Sequence, residues 1–204
     1  MSMITAPITT PITTPKGHKF PWYVKLFFWN QKRKYGAVLE PARLWGRSPK
    51  VFATLASLYG AFDRGSSPLE PALRTVVTVR VSQINWCSFC VDINSSTALK
   101  RGISDEKLAS LAAFADSDLY SAKEKAALHY AEAVTYSDRQ TTDAHFAALR
   151  QYFDDDAIIE LTGLIGFQNM SSKFNAALGV KPQGFCSIAP FTEKQKEATD
   201  NDTS

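Results

Sequence analysis

The chain is predicted to be all-α, a bundle of helices joined by short links. Three observations carry this. Helix-start signatures recur, at Ser48-Pro49, Ser67-Pro68-Leu69-Glu70, Ser104-Asp105-Glu106 and Ser121-Ala122-Lys123-Glu124. Between them, apolar residues return every three or four positions, the helical period. The connections are brief and carry glycine, serine or proline, which end helices and turn the chain.

Residues 1–19 are expected to form a flexible arm. Pro-Ile-Thr-Thr starts at Pro7 and again at Pro11, and such alternation favours extended backbone with little to bury. One helical domain is expected over 20–190 and a polar tail over 191–204. The domain opens with Phe20-Pro21-Trp22-Tyr23-Val24-Lys25-Leu26-Phe27-Phe28-Trp29, with Pro21 in the first turn and Lys32-Arg33-Lys34 at the end. Apolar side chains fall on more than one face of this helix. That suits packing against the core or a second copy, with docking on an anionic membrane surface the less favoured reading.

A short helix follows with Leu39, Leu44 and Trp45. Next comes one capped by Ser48, with Phe52, Leu55, Leu58, Tyr59 and Phe62 at helical spacing. Ser67 and Glu70 form a capping box with Pro68 as first helical residue, starting a helix that reaches Ile84. Thr75–Val81 has strong strand propensity, but Leu73, Val76, Val77, Val81 and Ile84 keep the helical period, so helix is preferred. Another helix runs from about Cys87 to Arg101 and closes on Gly102. Helices starting at Ser104 and Ser121 follow, then one capped by Thr141 or Thr142. The last starts at Asp154–Asp156, carries Ile158, Ile159, Leu161, Leu164, Ile165, Phe167, Phe174 and Leu178, and ends before Gly179. Residues 181–190 close the domain as a loop.

Bulk composition narrows the function. The 204 residues suit one domain with a substantial core, and 45% hydrophobic content is ordinary. A formal charge of +3, with the basic residues spread out, does not argue for a nucleic-acid partner. No apolar run approaches the roughly 18–20 residues that span a bilayer. The N-terminus lacks the basic start and apolar centre of a signal peptide, so a cytoplasmic location is expected. Three cysteines, Cys87, Cys90 and Cys186, do not make a disulfide framework.

Cys87-Ser88-Phe89-Cys90 is the chemical centre of the chain. In a reducing compartment a CxxC is redox-active or metal-binding more often than structural. Zinc would need further ligands, and His18, His129 and His145 show no ligand spacing. No GxSxG elbow or local Cys-His pairing points to hydrolysis. Thiol redox chemistry fits best, because free N–H groups at a helix start stabilise a thiolate and the short spacing lets one sulfur resolve a disulfide made by the other. Cys87, nearer the helix start, is the expected exposed nucleophile and Cys90 its partner. Asp92 opposes thiolate formation by its charge or serves the helix start. His129 and His145 are candidate bases, Glu160 a candidate site or interface residue, and Cys186 a small packing group.

Arg80-Val81-Ser82-Gln83-Ile84-Asn85 followed by Cys87-Ser88-Phe89-Cys90-Val91-Asp92 resembles the carboxymuconolactone decarboxylase family, and more closely its alkylhydroperoxidase D-like branch. The resemblance covers Tyr35 to Pro182 and is sharpest from Leu73 to Asp92. It implies an alkylhydroperoxidase D-like helical bundle that self-associates into a homo-oligomer and uses the CxxC as a redox dithiol. It further implies a small peroxide or disulfide as substrate, a thiol protein as electron donor and no cofactor. The family's proton relay of Glu and His falls on Thr75 and Asn94, neither of which accepts a proton usefully at neutral pH. Helix reading would have Thr75 presented to the CxxC. Two rivals stay open: lactone decarboxylation, and a non-catalytic oligomeric binding protein.

Overall fold

The computed structural model describes residues 12–187, which contain helices and no strand. They divide into two compact units. The chain up to Ser66, with Leu178–Val180, makes the first; Ser67–Ala177, with the chain from Lys181, makes the second. Residues 1–11 of the expected arm and the expected tail lie outside the described residues.

The first unit holds α1 (Trp22–Tyr35), α2 (Glu40–Gly46) and α3 (Pro49–Phe62). Pro21 stands at the N-cap of α1, one position before the expected first turn, and Gly36 closes the helix at φ 77°. One face of α1 buries Val24, Phe28 and Gln31. The opposite face leaves Trp22, Leu26 and Trp29 exposed. Phe28 meets Phe20 and Phe52 edge-to-face. Gly46 allows the close approach of α2, since a Cβ there would lie 3.0 Å from Phe20 and 3.2 Å from Val24 and Phe28. The arm is tied down at Thr13, whose carbonyl accepts from Arg47 Nη1 at 3.2 Å.

The apolar positions of α3 keep their helical spacing, but few of them are buried. Phe52 is buried, but Leu58 and Tyr59 are exposed. Helical spacing identifies an apolar face and not what covers it. Ser48 occupies the N-cap without a capping hydrogen bond from its side chain.

The second unit is built around α4 (Pro71–Ile84). It is touched by α5 (Ser88–Lys100), α7 (Ala122–Thr135), α9 (Asp155–Ala177) and a 3-10 turn at Leu111–Asp116. With neighbours on several sides, its β-branched residues are all buried apart from Thr78 and Ile84, and helix overrides strand propensity. The helix begins at Pro71, not at Pro68. An earlier start would place Pro71 where the first intrahelical N–H is needed and force Glu70 into a conformation disfavoured before proline. Ser67 Oγ instead accepts from Leu69 N at 3.2 Å and donates to Glu160.

Two short helices, α6 (Asp105–Ala109) and α8 (Asp143–Leu149), complete the unit. Ser121 and Glu124 cap α7 reciprocally as expected. Glu124 also binds Lys107 Nζ at 2.8 Å. Burial pushes its carboxyl up, but Lys107 and the Ser121 N–H outweigh this and hold it below its ordinary value. Thr142, not Thr141, caps α8, with His145 Nδ1 accepting from Thr142 N at 3.0 Å. Inside the unit, Arg80 of α4 makes a buried ion pair with Glu132 of α7, to which Arg139 adds a second contact at 2.9 Å. No described helix is long and apolar enough to cross a membrane.

Candidate functional site

The dithiol sits where α4 turns into α5. Trp86 N donates to Gln83 O at 3.1 Å and Cys87 N to Ser82 O at 3.0 Å, a paired closure that requires a left-handed residue. Trp86 fills that place at φ 55°, where glycine is usual, and its indole is exposed. The turn folds Cys87 back against α4, and α5 begins with Cys87 as its N-cap.

Cys87 and Cys90 are joined as a disulfide with their Cα atoms 5.2 Å apart. Both are buried, at 1% and 3% exposure, which corrects the expectation of an exposed Cys87. Each sulfur accepts an N–H. Cys90 N donates to Cys87 Sγ at 3.1 Å, and Asn175 Nδ2 of α9 donates to Cys90 Sγ at 3.2 Å.

Asn175 belongs to a polar stripe. Along α9 the buried face runs Ile158, Leu161, Ile165, Gln168, Ser172, Asn175, alternating steps of three and four. The first half is apolar and the second polar. Gln168 Nε2 donates to Ser82 Oγ at 2.9 Å, and Asn85 Nδ2 donates to Ser172 Oγ at 2.9 Å and to Asn169 Oδ1 at 2.9 Å. Asn169 in turn reaches Thr135 Oγ1 at 3.0 Å. Buried polar groups persist where they find partners, so this stripe fixes α9 in register against the α4–α5 turn. Ile159 falls off this face and is 69% exposed.

Of the residues at the family's relay positions, Asn94 lies one turn beyond Cys90 and donates to Ser82 Oγ at 3.3 Å. It thus joins the polar group beneath the dithiol. Thr75 does not come to the dithiol. Its hydroxyl donates to Pro71 O and accepts from Arg101 Nη1 at 2.6 Å, and Arg101 follows the far end of α5. The 13 residues of α5 extend about 20 Å. Because α4 and α5 run antiparallel, a residue early in α4 faces the end of α5, not its start.

Asp92 is buried, and its carboxylate accepts three backbone N–H groups. They come from Gln183 at 2.8 Å, Gly184 at 2.9 Å and Cys186 at 2.7 Å. These donors offset its charge and moor the closing loop to α5. Cys186, half-buried and unpaired with another cysteine, belongs to that loop. His129 is exposed and meets Phe114 edge-to-face, His145 caps α8, and Glu160 bonds Ser67; none is brought to the dithiol by these contacts. Among the described residues, no group of three or more His, Cys, Asp or Glu stands together as a metal cage.

The carboxymuconolactone decarboxylase family pattern matches residues 49–133, which include the dithiol. YnjA, an uncharacterised protein of Escherichia coli K12, is 40% identical over 174 residues, 85% of this chain and 96% of that protein. An uncharacterised peroxidase-related protein of Ralstonia eutropha JMP134, with an alkylhydroperoxidase AhpD core, superposes with a TM-score of 0.77. The identity is 19%, over 89% of this chain and 99% of that one. The debrominase Bmp8 superposes with a TM-score of 0.72 at 22% identity, over 90% and 95% of the two chains. At these two identities the likeness is one of fold.

Proposed function

This chain belongs to the carboxymuconolactone decarboxylase family and has the alkylhydroperoxidase D-like helical fold, and from that premise we propose that Cys87 and Cys90 form a redox dithiol reducing peroxides or disulfides. The observation that carries the reading is the pairing of the two sulfurs, each supplied with an N–H donor. Such donors favour thiolate over thiol.

With a peroxide, the Cys87 thiolate attacks one peroxide oxygen. The S–O bond forms, the O–O bond breaks, and the leaving alkoxide takes a proton to become an alcohol. Cys90 then attacks the sulfenic acid, the S–S bond forms, and water leaves. A thiol protein returns two electrons by exchange through a mixed disulfide. With Thr75 and Asn94 in place of a carboxylate and an imidazole, activation rests on hydrogen bonds and not on a general base. Loss of such a base ordinarily costs about 10²–10⁴ in rate, so slow turnover is expected.

The exposed faces Trp22/Leu26/Trp29 and Val51/Leu58/Tyr59 support self-association. Cytoplasmic residence suits the dithiol chemistry.

The test compares wild type with Cys87→Ser/Cys90→Ser in peroxide and disulfide reduction, with a thiol reductant supplied. Turnover lost in the double variant is expected. Turnover equal in both proteins overturns the reading, and consumption of a muconolactone by both would favour lactone chemistry.

A further inference from the structure

The structure assigns Asn175 a catalytic role: its side-chain amide stabilises Cys90 as a thiolate and so makes Cys90 the leaving sulfur when a donor thiol opens the disulfide. The inference rests on reading Cys87 and Cys90 as a redox pair.

Asn175 is 2% exposed, on the last full turns of α9, and donates Nδ2 to Cys90 Sγ at 3.2 Å. A disulfide sulfur is a weak acceptor and a thiolate a strong one, so the same N–H stabilises the reduced, ionised state more. In the disulfide form the amide is only half used. Oδ1 of Asn175 is buried with no hydrogen-bond partner among the described residues. Buried amide oxygens are seldom left so, because the loss is not recovered elsewhere in the fold. A carbonyl beside a dithiol can accept a hydrogen bond from an S–H group, which exists only after reduction. Asn175 therefore offers a donor to the thiolate and an acceptor to a thiol.

The two sulfurs draw on different sources. Cys87 takes its N–H from the backbone of Cys90, which any sequence with this turn would supply. Cys90 takes its own from one side chain, held in place by the stripe that positions Ser172 and Gln168. In the step concerned, a donor thiolate attacks Cys87 Sγ. A new S–S bond forms to Cys87, the Cys87–Cys90 bond breaks, and the electron pair stays on Cys90 facing the Asn175 amide. A second donor thiol then releases Cys87 as thiolate and leaves as a disulfide.

The test measures the pKa of each thiol in the reduced protein by pH-dependent alkylation with peptide mass spectrometry. It is run on wild type, Asn175→Asp and Asn175→Leu. The Cys90 pKa is expected to rise by about one unit or more in both variants, a tenfold loss of thiolate at neutral pH, while Cys87 moves less. An unchanged Cys90, or an equal rise at both cysteines, overturns the assignment. Should neither variant fold, the Asn175 side-chain amide signals of wild type, followed by NMR, must titrate with Cys90. Signals identical in the disulfide and thiolate forms also overturn it. The readout needs no turnover. A shifted Cys90 without peroxide or disulfide reduction keeps Asn175 as the group that stabilises the Cys90 thiolate and removes the proposed function, whereas reduction with an unshifted Cys90 keeps the proposed function and removes the role of Asn175.

Discussion

Helices α3 and α4 are each 14 residues long and each start on proline, yet they have opposite fates. The more apolar α3, with Val51, Leu55, Leu58, Tyr59 and Phe62, buries Phe52 alone. In α4, Arg74, Thr75, Arg80, Ser82 and Gln83 are buried among the valines. Neighbours decide this, not composition. α4 is touched by α5, α7 and α9 within its unit, and several of its buried polar groups find partners there. Arg80 meets Glu132, Thr75 meets Arg101, and Ser82 meets Gln168 and Asn94. A helix bonded on several sides in this way fixes the Cys87–Cys90 turn at its end. In α3, by contrast, Val51, Leu58 and Tyr59 stay exposed.

The comparison breaks most visibly at the ion pair. Glu132→Ala leaves Arg80 charged and buried without its partner, which typically costs about 3–5 kcal/mol. Denaturant unfolding should show a midpoint well below that of wild type, and a midpoint within error of wild type would mean that the pair does not hold α4 to α7.

The ends of helices sharpen the contrast on a smaller scale. Helix α1 closes on Gly36 at φ 77°, whereas α4 closes on Trp86 at φ 55°. A bulky residue there is strained by about 1–2 kcal/mol. Trp86→Gly is expected to recover part of that strain and raise the melting temperature, offset by the added chain entropy of glycine. A lowered melting temperature would show that the indole itself contributes to folding.

The smallest expected effect on stability is on α3. Leu58→Ser removes an exposed side chain and should change stability by no more than about 0.5 kcal/mol. If this face mediates self-association, the mass found by sedimentation should fall. Unchanged mass would free the face from that role.

Much of this was legible in the chain. Ser104, Ser121 and Thr142 marked the starts of α6, α7 and α8, helical spacing marked α3 and α4, and Cys87-Ser88-Phe89-Cys90 marked the candidate site. The start of α4 was not, because two prolines three residues apart each suit a first turn, and only the second leaves the first backbone hydrogen bond intact. Gln168, Ser172 and Asn175 were visible as polar residues in register with Ile158, Leu161 and Ile165, but an eye following apolar positions passes over them. Nothing local to Asn175 announces Cys90, since the pairing exists only once α9 crosses the turn. The antiparallel hairpin likewise decides that Asn94 stays near the dithiol and Thr75 does not.

In the proposed dithiol, hydrogen bonds activate sulfur where relatives in the alkylhydroperoxidase D-like branch are expected to use Glu and His. The most direct measurement is the pH profile of Cys87 and Cys90 alkylation in the reduced wild-type protein. At least one thiol pKa well below the free value of about 8.5 is the result this account requires. Both at or above that value would contradict it, and would leave the dithiol a buried structural pair.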